Sequence, residues 1–321
     1  MYVGQLMAAG LAKESVVGTL VTPPTEFLPL ILPDSFFPTI QLLESTAIRS
    51  LPDRIYKVSQ GPGEVKGMKT KWEAEPENIG NLLMGAFGTD TKTGSGAAGY
   101  THTFSRLANA QLPSYSWWFN KGAKFPQFLG CMVNKLELSN KAKEFLIADA
   151  DWTGLSYDDN GTSKSPTYSA VKPFKFDQLV CTIAGGAVND YDNLKITFDN
   201  MVEADHALAG SIYPKKIYSK GFEVTVSLDF FVENATEYNK FLAGTAASMN
   251  FVWTSADDIT GASGGVKNTL TIDIPTVNYS VAAYPLPNGV IKINFTGRGV
   301  YTTGSTKTVS VALKNSISTA Y

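Results

Sequence analysis

Period-two alternation of apolar and polar residues is the strongest signal along this chain. In the segment 222–233, FEVTVSLDFFVE, the residues Phe222, Val224, Val226, Leu228 and Phe230 fall on one side and Glu223, Thr225, Ser227 and Asp229 on the other. That spacing belongs to a strand with one buried and one wet face. The same alternation runs through 193–201, 269–274, 289–295 and 308–313. Turn chemistry separates the runs: Asn288-Gly289 suits a tight hairpin, and Asn160-Gly161 marks a loop. Two stretches carry helical spacing instead. In PENIGNLLMGAFGT the apolar positions are Ile79, Leu82, Leu83, Ala86 and Phe87, with Pro76 near the start and Gly88 placed to end the helix. In ENATEYNKFLAGT, Asn234 with Glu237 predicts an N-cap, Tyr238, Phe241 and Leu242 form the apolar stripe, and Gly244 stops it.

The pattern repeats. RIYKVSQGPGEV (54–65) matches KIYSKGFEV (216–224) with three residues inserted in the first copy. Each copy then has one helix ending in Gly-Thr, a Val-Asn strand (MVNKLELS at 132–139, TVNYSVAA at 276–283) and an aromatic-Thr-Gly strand end (DWTG at 151–154, NFTG at 294–297). Landmarks in one order at similar spacing predict a duplicated module. The fold class expected is mainly β: two copies of a β-sandwich or half-barrel, each with one flanking α-helix. The expected boundaries are an N-terminal arm at 1–36, module one at 37–157, a polar linker at 158–172 and module two at 173–321.

Composition changes this picture little. A chain of 321 residues with 44% hydrophobic and 17% charged residues can bury a core in each half. A formal net charge of -2 argues against a basic surface that grips nucleic acid. Cys131 and Cys181 read as buried free thiols. The first residues show neither a basic n-region nor a long apolar run, so neither a signal peptide nor a membrane span is expected, and the Asn-x-Ser/Thr matches are chance.

Candidate chemistry is sparse. His102 and His206 stand at no metal-ligand spacing with another histidine or cysteine. GSGAAG at 94–99 fits a Gly-x-Gly-x-x-Gly pattern but precedes a strand, so a surface loop is expected and not a phosphate cradle. DADWTG has acids spaced like a calcium loop, yet its twelfth position is Asn160 where a glutamate is needed. Trp117, Trp118 and Phe119 suit a core or a subunit interface better than a stacking site. No catalytic, metal or cofactor site is expected, and the chain reads as a non-enzyme.

GLAKESVVGTLVTPPTEFLPL (10–30), ESTAIRSLPDRIYKVSQGPGEVKG (44–67), NLLMGAFGT, YTHTF, LPSYSWWF and GCMVNKLELS follow one another in an order that resembles phage tail tube proteins of long non-contractile tails. The resemblance implies β-sandwich modules whose inner sheets join into one barrel, in rings stacked by the N-terminal arm and a long loop into a hollow tube that conducts DNA. It also implies a tape measure protein, a tail terminator and a distal tail protein as partners, double-stranded DNA that passes without specific binding, assembly in the host cytoplasm and residence in the virion tail. Two modules per chain would give a trimeric ring with pseudo-six-fold symmetry. Four strands from each of six modules close a barrel of about 24 strands, about 48 Å across its backbone and about 38 Å within, wide enough for duplex DNA. Lumen-facing acids are expected at Glu44, Asp199, Glu223 and Asp229, where negative charge would repel phosphate. Ring-stacking contacts are expected from Arg49, Arg54 and Lys57 in one loop and Lys215, Lys216 and Lys220 in another, meeting acids such as Asp257 and Asp258 of the next ring. The rival readings are the tube of a contractile tail, gene transfer agent or type VI-like system and, in a different class, a carbohydrate-binding β-sandwich.

Overall fold

The structure, a computed structural model, describes residues 7–31, 36–47, 57–106, 111–207, 210–231, 236–283, 292–303 and 307–321. Strands β1 (Ala8–Lys13), β2 (Glu26–Leu28), β3 (Thr39–Glu44) and β4 (Val58–Glu73) lead into helix α1 (Ile79–Phe87). Then come β5 (Gly88–Ser95), β6 (Gly99–Arg106), β7 (Tyr115–Asn120), β8 (Gln127–Lys141), β9 (Ile147–Gly154) and β10 (Ser156–Asp158). The second half continues with β11 (Leu179–Ile183), β12 (Gly186–Val188), β13 (Tyr191–Asp199), β14 (Val202–Asp205), β15 (Lys216–Ser219) and β16 (Glu223–Phe231). Helix α2 (Thr236–Ala243), β17 (Ala247–Asp258), β18 (Lys267–Ala283), β19 (Lys292–Gly299) and β20 (Ser310–Asn315) complete it. The fold is mainly β and its named strands pair antiparallel, as the alternation predicts.

Two long strands each serve two sheets. The wide sheet runs β4–β9–β8–β13–β16–β19–β18, using the C-terminal parts of β8 and β18. The N-terminal part of β8 lies in the sheet β2–β1–β7–β8–β10. The N-terminal part of β18 lies in β12–β11–β17–β18–β20–β6–β5. One pairing scheme therefore occurs twice: hairpin β1–β2 beside β7 corresponds to β11–β12 beside β17, β7–β8–β10 to β17–β18–β20, and β4–β9–β8 to β16–β19–β18. The two-stranded ribbon β14–β15 stands where β3 pairs with the first part of β4. Hairpin β5–β6 has no counterpart in the described second half, and it joins the halves through β20.

DWTG lies in β9 and NFTG in β19. Trp152 sits opposite Met68 and Val133, and Phe295 opposite Leu228 and Ala282. The Val-Asn landmark shifts between copies: Val277 faces Gly299, and Ala282 takes the place that Val133 holds.

Helix α1 is buried, with Ile79, Leu82, Leu83, Ala86 and Phe87 all inside. Gly88 ends it at φ +90°, in the left-handed region, its N–H donating to Met84 O. The stripe on α2 is narrower than its periodicity predicts. Tyr238 packs on the core, but Leu242 is 64% exposed: α2 lies against β18, and position 242 turns off that line. Asn234 and Asn288-Gly289 lie outside the described residues.

One hydrophobic cluster spans both halves, with Trp72, Trp117, Trp152 and Trp253 fully buried. Cys131 and Cys181 are buried thiols that form no disulfide. Within the segment expected to be an arm, β1 is a buried strand on β7, and Glu14 fastens it. The buried Glu14 carboxylate accepts from Gly18 N (2.7 Å), Ser114 Oγ (2.6 Å), Ser116 Oγ (2.8 Å) and Gly130 N (2.9 Å). The polar stretch expected as a linker runs along the first half, where Trp118 Nε1 donates to Thr162 O and Ser169 Oγ to Glu77.

Candidate channel and assembly surfaces

Alternation along seven adjacent strands puts one broad polar face on the wide sheet. In the register β8–β13–β16, Lys135, Asp199 and Glu223 stand side by side, as do Glu137, Thr197 and Thr225. Asn193, Asp229 and Asn294 form another cross-strand row on β13, β16 and β19. Asp229 accepts hydrogen bonds from Asn193 Nδ2 (3.2 Å) and from Asn294 Nδ2. Glu223 Oε1 is 3.1 Å from Arg298 Nε, and Asp199 Oδ1 accepts from Met201 N at 2.9 Å. Three of the four expected lumen acids thus share one face. Glu44 ends the exposed strand β3, opposite Val58 and away from that row.

The face is not simply acidic. Sequence reasoning missed Glu137, Asp149 and Asp151, and it missed the lysines interleaved with them. Lys195 is 2.8 Å and Lys135 3.7 Å from Glu137, and Lys69 is 3.5 Å from Asp151. Lys71, opposite Asp149 in the register, and Lys292, 2.5 Å from Asp192, add to the basic side. Burial first, then the neighbouring Asp151 carboxylate, raises the Asp149 carboxyl above its usual range. The signal was available: period two in β4, β8 and β9 places these residues opposite the core, but only pairing across strands shows that they share a face with β13 and β16.

The loop lysines are partly brought together. Lys215 N donates to Asp205 O at 2.9 Å, Lys216 opens β15 opposite Asp205, and Lys220 Nζ lies 2.5 Å from Glu203 Oε2. Lys57 is exposed, its carbonyl accepting from Ser45 N at 2.9 Å. Arg49 and Arg54 lie outside the described residues. Asp257 meets Lys172 at 3.1 Å and Asp258 meets Lys267 at 2.7 Å within the same chain. The two loops also touch each other: Gly63 N donates to Ile212 O at 2.8 Å, and His206 Nε2 is 3.0 Å from Gly63 O.

The remaining motifs are structural. Trp117, Trp118 and Phe119 are buried, which leaves no aromatic platform there for a sugar. His102 is buried between Asp90 Oδ2 (2.8 Å) and Ile317 O (2.9 Å). GSGAAG forms the turn of hairpin β5–β6. Among the described residues no helix is long and apolar enough to cross a membrane.

A family model described as phage tail tube protein matches residues 4–299. The chain belongs to the phage tail tube protein family. No individual curated protein matches it. Membership makes this tail tube protein a structural component of a phage tail, self-assembling into a tube.

Proposed function

We propose that this tail tube protein forms trimeric rings of pseudo-six-fold symmetry, stacked into the hollow tube of a long non-contractile tail, which conducts double-stranded DNA from capsid to host. The observation that carries this reading is the seam between β8 and β13. There the β4–β9–β8 sheet of one half continues edge to edge into the β13–β16–β19–β18 sheet of the other. A chain built of two tube modules would join its neighbours as it joins its own halves, and closure removes sheet edges. The modules in this reading meet near residues 158–172, with β1–β2 belonging to the first.

The polar face of the wide sheet lines the channel. Its interleaved acids and lysines hold little net charge, so it offers phosphates neither a basic trap nor a steep repulsion. The exposed lysines of the β14–β15 ribbon and Lys57 serve contacts between rings. Tape measure, terminator and distal tail proteins cap and fill the tube, and assembly takes place in the host cytoplasm.

Negative-stain electron microscopy of the purified protein tests the tube: hollow tubes are expected, and a dispersed monomer at every concentration would contradict it. The channel face has its own test. Asp199→Lys with Asp229→Lys turns the face basic and should slow DNA ejection from phage with intact tails. Unchanged ejection would move the lumen to another face.

A further inference from the structure

Ribbon β14–β15 has a neighbour that ribbon β3–β4 lacks. Ala204 and Ile217, each 4% exposed, close onto Met132 of β8, Leu155 just after β9, and Leu112. The connection at the ribbon's tip reaches further, with Ile212 bonded to Gly63 and the Tyr213 ring against it. The second half thus lays its ribbon over the flank of the half beside it in the wide sheet.

Ribbon β3–β4 holds the corresponding place in the first half. Every residue of β3 is exposed, Leu42 at 64% and Leu43 at 58%, and Ile40, Val58 and Phe37 are also exposed. By register Leu42 and Val58 share one face of the ribbon and Leu43 lies on the other; exposed apolar side chains on a two-stranded ribbon mark a surface that association covers. At the other end of the wide sheet, β18 beyond Val277 pairs with β19 alone among the described residues, as β8 would without β13. Arg298 follows Gly297 there, as Leu155 follows Gly154.

We infer that ribbon β3–β4 docks on a second copy of this chain, across its β18–β19 end, as β14–β15 docks across β8–β9. The contact is heterologous: each copy offers the ribbon at one end and the receiving flank at the other, so copies add until a ring closes. This rests on the tube reading and assigns the contact between neighbours within a ring.

The test uses the full chain. Leu42→Glu with Leu43→Glu changes only exposed side chains, so the variant should keep the wild-type circular dichroism spectrum and lose rings and tubes. Separately, Leu42→Cys with Arg298→Cys should, under mild oxidation of assembled tubes, give linked chains that end at the ring number, and neither single variant should. Tubes from L42E/L43E at wild-type yield, or L42C/R298C tubes with no linked chains, would overturn the inference and leave the tube reading standing. Wild-type protein that never assembles would defeat the tube reading itself.

Discussion

Glu14 shows how a single side chain can fasten neighbouring strands of one sheet. Its carboxylate gathers donors from the turn after β1, from β7 and its approach, and from the bend of β8. Glu14→Ala would leave those buried donors without an acceptor, and each unsatisfied group costs roughly 1–3 kcal/mol. A loss of about 3 kcal/mol is expected from urea unfolding; a loss under about 1 kcal/mol would mean that water replaces the carboxylate. Acids near α1 make stability depend on pH. Burial, with a smaller push from Glu75 and Glu77, raises Glu26 to about 8 despite its hydrogen bond from Asn81, and burial with Glu73 and Glu77 raises Glu75 to about 7. These folded-state values lie above the unfolded ones, so the folded chain holds more protons between the two. The contribution is full below the ordinary carboxylate range and is lost as pH rises through about 7 to 8. Thermal midpoints should therefore fall from pH 5 to pH 8, and Glu26→Gln should flatten part of that slope; an unchanged slope would remove Glu26 as its source.

Among the elements, alternation made β13, β16, β19 and β20 legible, and helical spacing with a terminal glycine made α1 legible. What sequence could not show is where strands bend. β8 and β18 each leave one sheet and enter another, a choice set by pairing partners far along the chain. For the same reason β1 read as part of an arm: six residues rich in alanine carry little period, and burial on β7 comes from tertiary contact. Deleting residues 1–20 removes that strand and Glu14 with it. The truncated chain is expected to lose its cooperative thermal transition; a folded chain that forms rings but no tubes would instead support a stacking arm.

For the whole molecule, the repeat seen in a few short motifs extends to a scheme of strand pairing carried through both halves, with β5–β6 as the main addition. The acids singled out on β13 and β16 do share a face, but its balance of charge depends on lysines supplied by β4 and β8 and, at its other end, on β19, a sum that no single strand reveals. The two halves are also one folding body, since their core is continuous. In the proposed ring, the seam between β8 and β13 is the template for the seam between chains. The most direct measurement is the mass of the smallest ring, with rotational averages of its end-on view. The account predicts three chains and an apparent six-fold image; six chains per ring would contradict it, because each chain would then supply a single unit of the barrel.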